Sequence, residues 1–320
     1  MFIDTHAHLN FREFADELDN VIRRSFDVGV KKIINVGSNY QTSVKAIQIA
    51  CSRYSEFISG SRQNQISKQV RNDIVMHAAV GCHPIHLAED IKETAIFDGK
   101  DYTFTTKKEE FKAEKYQKLI DENKDRIVAI GETGLDYFRL NENNQYQKSK
   151  DAKDTQQEVF IAHINLAYKN NLPLILHCRG SENEPFGAYD EMLRIIKNLN
   201  FQFENDKPKL KNEIRGVIHC FVGTLEQAQE FIDLGFYIGV NGILTFKKSI
   251  ELQNIIKKIS IEKIVLETDC PYLAPEPYRG KRNEPMYIPD IASSIGVLKN
   301  IPIDEIAEIT SNNAKKLFNI

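Results

Sequence analysis

The feature that most limits what this chain can fold into is a unit that recurs along it: a short, β-branched apolar run followed by an amphipathic helical stretch. Eight such runs can be read in order. They fall in Met1–Asn10, Lys31–Val36, Ile74–Cys82, Arg126–Ile130, Leu172–His177, Gly216–Cys220, Phe236–Val240 and Lys263–Glu267. Helical spacing marks Glu13–Val28, Thr42–Ser55, Phe111–Asn123, Gln156–Lys169, Phe186–Leu199, Leu225–Leu234, Ser249–Ile259, Ile288–Leu298 and Ile303–Phe318. Strands that are apolar on both faces belong to a parallel sheet covered by helices. Eight of them predict closure into a (β/α)8 TIM-type barrel, an α/β fold. The 320 residues suit one such domain, 1–320, with polar insertions near 60–73 and 90–112.

In that architecture the reacting groups stand where strands end. Here the strand ends carry His6 and His8, His83, Glu132, His177, His219 and Asp269. His6 and His8 are two apart and so share a strand face. A lone His-x-His is a weak metal signal, and a single histidine or carboxylate after a strand is ordinarily a hydrogen-bonded core residue or a helix cap. Four histidines and two carboxylates converging on one mouth are enough for two divalent ions. Glu132 has a carboxylate able to bridge ions about 3.5–4 Å apart. His6 and His8 would hold the first ion and His177 and His219 the second, with Asp269 completing the first shell and accepting a proton from water. Such a centre is hydrolytic, and the ligands alone leave attack on phosphorus or on a carbonyl open.

The segments Ile3-Asp-Thr-His-Ala-His-Leu9, Gly81-Cys-His-Pro84, Gly131-Glu-Thr-Gly-Leu-Asp-Tyr-Phe138, Leu176-His-Cys-Arg179, His219-Cys-Phe221, Leu266-Glu-Thr-Asp-Cys-Pro-Tyr-Leu-Ala-Pro275 and Arg279-Gly-Lys-Arg-Asn-Glu-Pro285 resemble the signatures of the TatD family of deoxyribonucleases. The resemblance spans nearly the whole chain and looks like the longer eukaryotic type. It implies a metal-dependent DNase on an amidohydrolase-like barrel, acting 3′ to 5′ on single-stranded DNA with Mg2+. By matching positions the implied ligands are His6, His8, Glu132, His177, His219 and Asp269, the set that the strand ends gave. It implies that His83 touches the scissile phosphate or protonates the leaving oxygen, with a supporting hydrogen bond as the plain reading. Arg179, Arg279 and Lys281 become candidate phosphate contacts, each also readable as an ordinary surface cation. Asp136 is expected to orient the Glu132 loop. Many relatives place a second histidine directly after the Gly-x-His-Pro proline. Here Ile85 stands there and His86 follows, which leaves His86 without an expected role.

Other functions fit less well. Lys plus Arg total 42 against 45 for Asp plus Glu, so no broad basic surface advertises itself. No stretch has the length of a membrane span or the pattern of a secretion signal, and no obligate protein partner is evident. Five cysteines, an odd number, point to free thiols in the cytosol or nucleus. Cys82, Cys178, Cys220 and Cys270 each neighbour a site residue, so alternation should turn them toward the helix layer. His77 and His163 read as structural. Another hydrolase on the same scaffold is the alternative, cleaving an amide, a phosphotriester or an ester such as aminoacyl-tRNA. Amidohydrolase relatives often bridge their metals with a carboxylated lysine, where this chain has Glu132. A metal-bound scaffold without activity is a third reading, disfavoured by the complete ligand set. Four nitrogen ligands suit Zn2+, Mn2+, Co2+ or Ni2+ better than Mg2+.

Overall fold

A computed structural model describes residues 1–51, 75–88, 91–138, 140, 150–205 and 212–320. The insertion expected near 60–73 lies outside the described residues. The strands are β1 (Phe2–Ala7), β2 (Val30–Val36), β3 (Val75–Val80), β4 (Lys92–Phe97), β5 (Lys100–Thr105), β6 (Ile127–Asp136), β7 (Leu174–Arg179), β8 (Gly216–Ile218), β9 (Tyr237–Val240) and β10 (Ile264–Leu266). The described α-helices are α1 (Leu18–Asp27), α2 (Tyr40–Cys51), α3 (Ala113–Glu122), α4 (Lys150–Asn170), α5 (Gly187–Asn205), α6 (Leu225–Asp233), α7 (Ile250–Lys258), α8 (Ile288–Lys299) and α9 (Ile303–Phe318).

Eight strands form one sheet in the order β1-β2-β3-β6-β7-β8-β9-β10, every pair parallel. The ends of the sheet meet at a parallel bridge between Ala7 and Cys270. There the Asp269 N–H donates to the His6 carbonyl (2.8 Å) and the His8 N–H donates to the Cys270 carbonyl (2.9 Å). The barrel is thus closed by backbone bonds between two ligand-bearing segments.

Apolar side chains fall into two clusters. The larger lies between strands and helices. The smaller takes Ile3, Ile34, Ala79, Ala129, Ile175, Val217, Tyr237 and Val265, one from each strand of the large sheet, together with Leu317 and Phe318 of α9. Its members alternate along the strands with those of the larger cluster, so they point to the other face of the closed sheet, the barrel interior. Asn313 of α9 donates to the carbonyls of Ile261 and Ile264, and Ser311 donates to that of Met1, so α9 plugs the end where strands begin. The opposite, C-terminal end is left for polar groups. α9 and α8 stop at Asn319 and Asn300, both left-handed (φ 54° and 56°), a conformation asparagine tolerates at helix ends.

Three expectations change. The helix expected over Glu13–Val28 is a 3-10 turn at Arg12–Phe14 followed by α1, because Phe14 turns in to be fully buried. The second insertion is not structureless. β4 and β5 pair antiparallel about a turn in which Asp98 and Gly99 both have positive φ (53° and 68°). The fourth barrel strand does not stop at Ile130 but runs on to Asp136, so Glu132 lies within it. Residues Thr133–Asp136 pair with Leu176–Arg179, and a Cβ at Gly134 (φ +139°) would strike the His177 carbonyl, so only glycine permits this approach.

Candidate metal centre

Two one-residue bulges aim the ligands. Between β1 and β2, Asp4 pairs with Ile33 and Ala7 with Asn35, three steps against two. Between β6 and β7, Ile130 pairs with Leu174 and Thr133 with Leu176, again three against two. An extra residue reverses the alternation beyond it. Ile3 and Ala129 accordingly face the interior while Ala7 and Leu135 face the helices. Without the bulges, His6, His8 and Glu132 would point into the helix layer.

The six ligands expected from sequence are brought together. The Glu132 carboxylate stands in the middle. Its Oε2 faces His8 Nε2 (3.5 Å) and His6 Nε2 (3.6 Å), and its Oε1 faces His177 Nδ1 (3.2 Å), His83 Nε2 (3.6 Å) and His219 Nε2 (3.8 Å). Asp269 spans a second gap. Its Oδ1 lies 3.5 Å from His8 Nε2 and 3.8 Å from His6 Nε2, and its Oδ2 lies 3.8 Å from His219 Nε2. Glu132 and the histidines His6, His8 and His219 are nearly closed off. The side chains of Asp269 and His177 are 15% and 16% exposed, which makes them the ligands nearest solvent.

These separations test whether metals fit. Most are too long for good hydrogen bonds. Ligands about 2.1 Å from a shared ion lie about 3.0 Å apart at right angles and about 3.4 Å apart tetrahedrally; the separations here, 3.2–3.8 Å, run from within that span to slightly beyond it. The His6 and His8 Nε2 atoms are 3.0 Å apart. His8 Nδ1 lies 2.9 Å from the Val36 carbonyl and takes the donor role, so Nε2 of a neutral His8 carries a lone pair aimed at His6. Such a contact needs a proton or a cation between the two nitrogens. The donor set fits metal ions in four overlapping groups: His6–His8–Glu132, His6–His219–Asp269, Glu132–His177–His219 and His83–Asp136–His177.

The electrostatics agree. Burial opposes charge on every group in the cluster, yet mutual attraction wins for most. His219 is raised to about 10 because Glu267, Asp269 and Glu132 outweigh its desolvation. His8 and His177 are raised against burial by facing carboxylates, while burial and the neighbouring His219 lower His6. Glu132 and Asp269 are held below the usual carboxylate range by the surrounding histidines, despite burial. The carboxylates therefore stay ionised and attract cations.

His83 joins the cluster, with its ring 4.2 Å from that of His177. Its Nδ1 accepts from the Ile85 N–H, so its Nε2 carries the hydrogen in the neutral ring. Asp136 has a task beyond the one expected: its Oδ2 lies 3.3 Å from His177 Nε2 and fixes that ring. Glu267 was missed by the sequence reading. It is fully buried, lies 3.0 Å from His219 Nδ1, and accepts from the Cys220 N–H (2.7 Å). This carboxylate–histidine pair points His219 Nε2 at the centre. A Cβ at Gly239 would come within 2.5 Å of the Glu267 carboxylate, so the strand beside it must be bare. The available signal was Glu267 standing two residues before Asp269. Asp4 was also missed. It accepts from the Thr268 N–H (3.0 Å), the Thr268 hydroxyl (2.6 Å) and the His6 N–H (3.2 Å), lacing together the segments that carry His6 and Asp269.

Arg179, the last residue of β7, and Arg279 and Lys281, in the loop after β10, make no ion pair or hydrogen bond to the cluster among the described residues. Instead Arg179 lies over the Phe138 ring, Arg279 over Phe246 and Lys281 near Tyr278. His86 sits between Ser38 and Asn39. His163 is a hydrogen-bonded core residue, as expected, and His77 has no described hydrogen-bond partner. Cys82, Cys178 and Cys270 are buried against the helix layer, and burial raises their thiols. Cys220 departs from expectation. β8 ends at Ile218, and Cys220 is left-handed (φ 48°), half-buried and next to carboxylates, so strand alternation does not govern it.

Comparison with known proteins adds a family. The sequence model of the family described as TatD related DNase matches residues 3–319. YabD of Bacillus subtilis, an uncharacterized metal-dependent hydrolase, is 32% identical over 320 residues, covering 100% of each chain. The crystal structure of YjjV, a TatD homolog from Escherichia coli, superposes with a TM-score of 0.73 at 25% identity, covering 100% of this chain and 98% of that one. A TatD family hydrolase from Entamoeba histolytica gives 0.72 at 25%, covering 99% and 97%. The chain belongs to the TatD-related DNase family.

Proposed function

We propose that this protein is a metal-dependent hydrolase that cleaves DNA phosphodiester bonds, working as a 3′-to-5′ exonuclease on single strands in the cytosol or nucleus. The observation that carries the reading is the division of the Glu132 carboxylate, with Oε2 toward His6 and His8 and Oε1 toward His177 and His219. A carboxylate so placed could be shared by two ions, with His6 and His8 holding one and His177 and His219 the other. Two divalent cations bound there would lower the pKa of a water and offset charge on a phosphate.

The chain's own groups have separable tasks. Asp269, ionised and partly open to solvent, accepts the proton of the attacking water. His83 presents an Nε2–H toward the same space and hydrogen-bonds the phosphate or donates to the leaving oxygen. Glu267 and Asp136 hold the His219 and His177 rings in register. Arg179, Arg279 and Lys281 meet the polynucleotide beyond the scissile bond. Nitrogen-rich ligation favours Zn2+, Mn2+, Co2+ or Ni2+ for tight binding, with Mg2+ the family's metal for turnover.

The test is a substrate panel given to protein stripped with chelator and reloaded with each metal. Turnover of a small phosphodiester, with none of an aminoacyl ester or an amide, is expected. Turnover of the ester or amide alone would transfer the assignment to that chemistry on the same scaffold.

A further inference from the structure

The approach to the metal centre is not uniform around the mouth. The β4–β5 hairpin leaves the segment after β3 and lies against the loops that follow β1 and β10. Its Asp98 N–H donates to the Gly280 carbonyl (2.9 Å), its Asp98 carboxylate accepts from the Arg282 N–H (3.3 Å), and Arg12 donates to its Thr103 carbonyl (2.6 Å). Among the described residues, the side spanning β6 to β9 carries no such fence.

At the mouth two arginines each lie over an aromatic ring, and each pair joins neighbouring strand ends. Arg179 closes β7 and lies 3.7 Å over the ring of Phe138, just past β6. Arg279, after β10, lies 4.3 Å over the ring of Phe246, which follows β9. The pairs therefore flank β8, the strand that leads to His219. Neither arginine has a carboxylate partner among the described residues. The second pair is fixed: Gln253 donates to the carbonyls of Leu244 and Phe246, and the Glu276 N–H donates to the Thr245 hydroxyl across the two loops. Exposed Lys247 and Lys248 continue from Phe246.

A guanidinium held on a ring loses rotamer freedom before any ligand arrives. It keeps a flat outer face and edge N–H groups. The face accepts a nucleobase by stacking and the edge accepts a phosphate. A ligand that offers flat bases and phosphates alternately, with the base faces free, is a single-stranded polynucleotide; a duplex hides those faces. We propose that Phe138–Arg179 and Phe246–Arg279 are two stacking ledges that hold the bases on either side of the scissile phosphate, with Lys247 and Lys248 holding the backbone beyond. The proposal rests on the phosphodiesterase reading of the same site.

The test is fluorescence anisotropy of metal-loaded protein with a labelled phosphorothioate (dT)12, which resists cleavage, and with an abasic oligomer of equal length and charge. Turnover of methyl p-nitrophenyl phosphate, too small to reach the ledges, runs in parallel. Phe138→Leu and Phe246→Leu should each weaken (dT)12 about fivefold or more, and leave the abasic oligomer and the small ester unaffected. Arg279→Lys, at an exposed position where folding is not at stake, should weaken (dT)12 similarly although the charge remains. Leu and Lys variants that bind as wild type does, or an abasic oligomer bound as tightly as (dT)12, would overturn the ledges. Ledge-dependent binding by a protein that cleaves no phosphodiester would uphold the ledges and refute the phosphodiesterase reading. Cleavage of the small ester without ledge-dependent binding would refute the ledges alone.

Discussion

His163 ties the fold to the site through one hydrogen bond, and its removal gives a pH-dependent result. The ring is buried in α4, stacks on Phe111 (4.0 Å), donates from Nδ1 to the Val159 carbonyl (2.7 Å) and accepts at Nε2 from the Cys82 N–H (3.0 Å). Cys82 precedes His83, so this bond steadies the backbone that presents His83. Both nitrogens are committed in the neutral ring, and a second proton would face the Cys82 N–H. Burial accordingly lowers His163 from 6.5 to about 4, although the bond to Val159 pulls the other way. A folded value below the unfolded one means that the stabilisation is whole above pH 6.5 and is withdrawn as the pH falls toward 4. At pH 4 the withdrawn amount is about 3 kcal/mol. His163→Phe keeps the bulk and removes both the acceptor and the titration. At pH 7 it should cost about 1–3 kcal/mol for the orphaned Cys82 N–H. By pH 4 the gap between variant and wild type should close or reverse. Urea denaturation at half-unit steps from pH 4 to 8 reads this directly. A gap that stays constant over the range would refute the reasoning.

Four further outcomes are expected. Glu267→Gln, which keeps shape but removes charge beside His219, should weaken one of two bound ions about 10- to 100-fold in a chelator-competition titration and leave the far-UV spectrum unchanged; unchanged affinity for both ions would remove Glu267 from the centre. His177→Ala should abolish hydrolysis while the far-UV spectrum stays that of the wild type, since the side chain packs in no apolar cluster; an active, folded variant would contradict the two-ion reading. Metal uptake at pH 7 should release protons, because His219 is raised to about 10 in the metal-free protein; calorimetry in buffers of different ionisation enthalpy would show no buffer dependence if His219 enters the site neutral. Arg279→Ala should weaken DNA binding most at low salt and flatten the salt dependence, with little effect on a small phosphodiester; equal losses on both substrates would take Arg279 off the DNA rim.

The barrel was legible because its strands are apolar on both faces and the helices between them are periodic. The ligands were legible because each follows such a run. The bulges were not, since alternation fixes that His6 and His8 share a face without saying which one; the pairing with β2 decides that. Gly131 and Gly134 mark a distorted strand around Glu132, yet by pattern the strand ends at Ile130 because its continuation is polar. The β4–β5 hairpin was hidden by its charge. Its signal was Asp98-Gly99 between two alternating runs, a turn pair that sets hairpin geometry whatever the outward-facing residues are. Glu267 escaped notice because a carboxylate at a strand end was read for Asp269, and a residue that acts through another leaves no motif of its own. The arginines at the mouth were legible as cations, while the rings beneath them follow other strands and emerge only in three dimensions.

The central claim is that Glu132 holds two ions together for cleavage of a phosphodiester. The most direct measurement incubates end-labelled single-stranded DNA with chelator-stripped protein, then adds Mg2+, Mn2+ or Zn2+, with Glu132→Ala in parallel. The account predicts a ladder that appears only with metal, grows from the 3′ end, and is absent in the variant. Protein that binds two ions and leaves the DNA whole with every metal would contradict it.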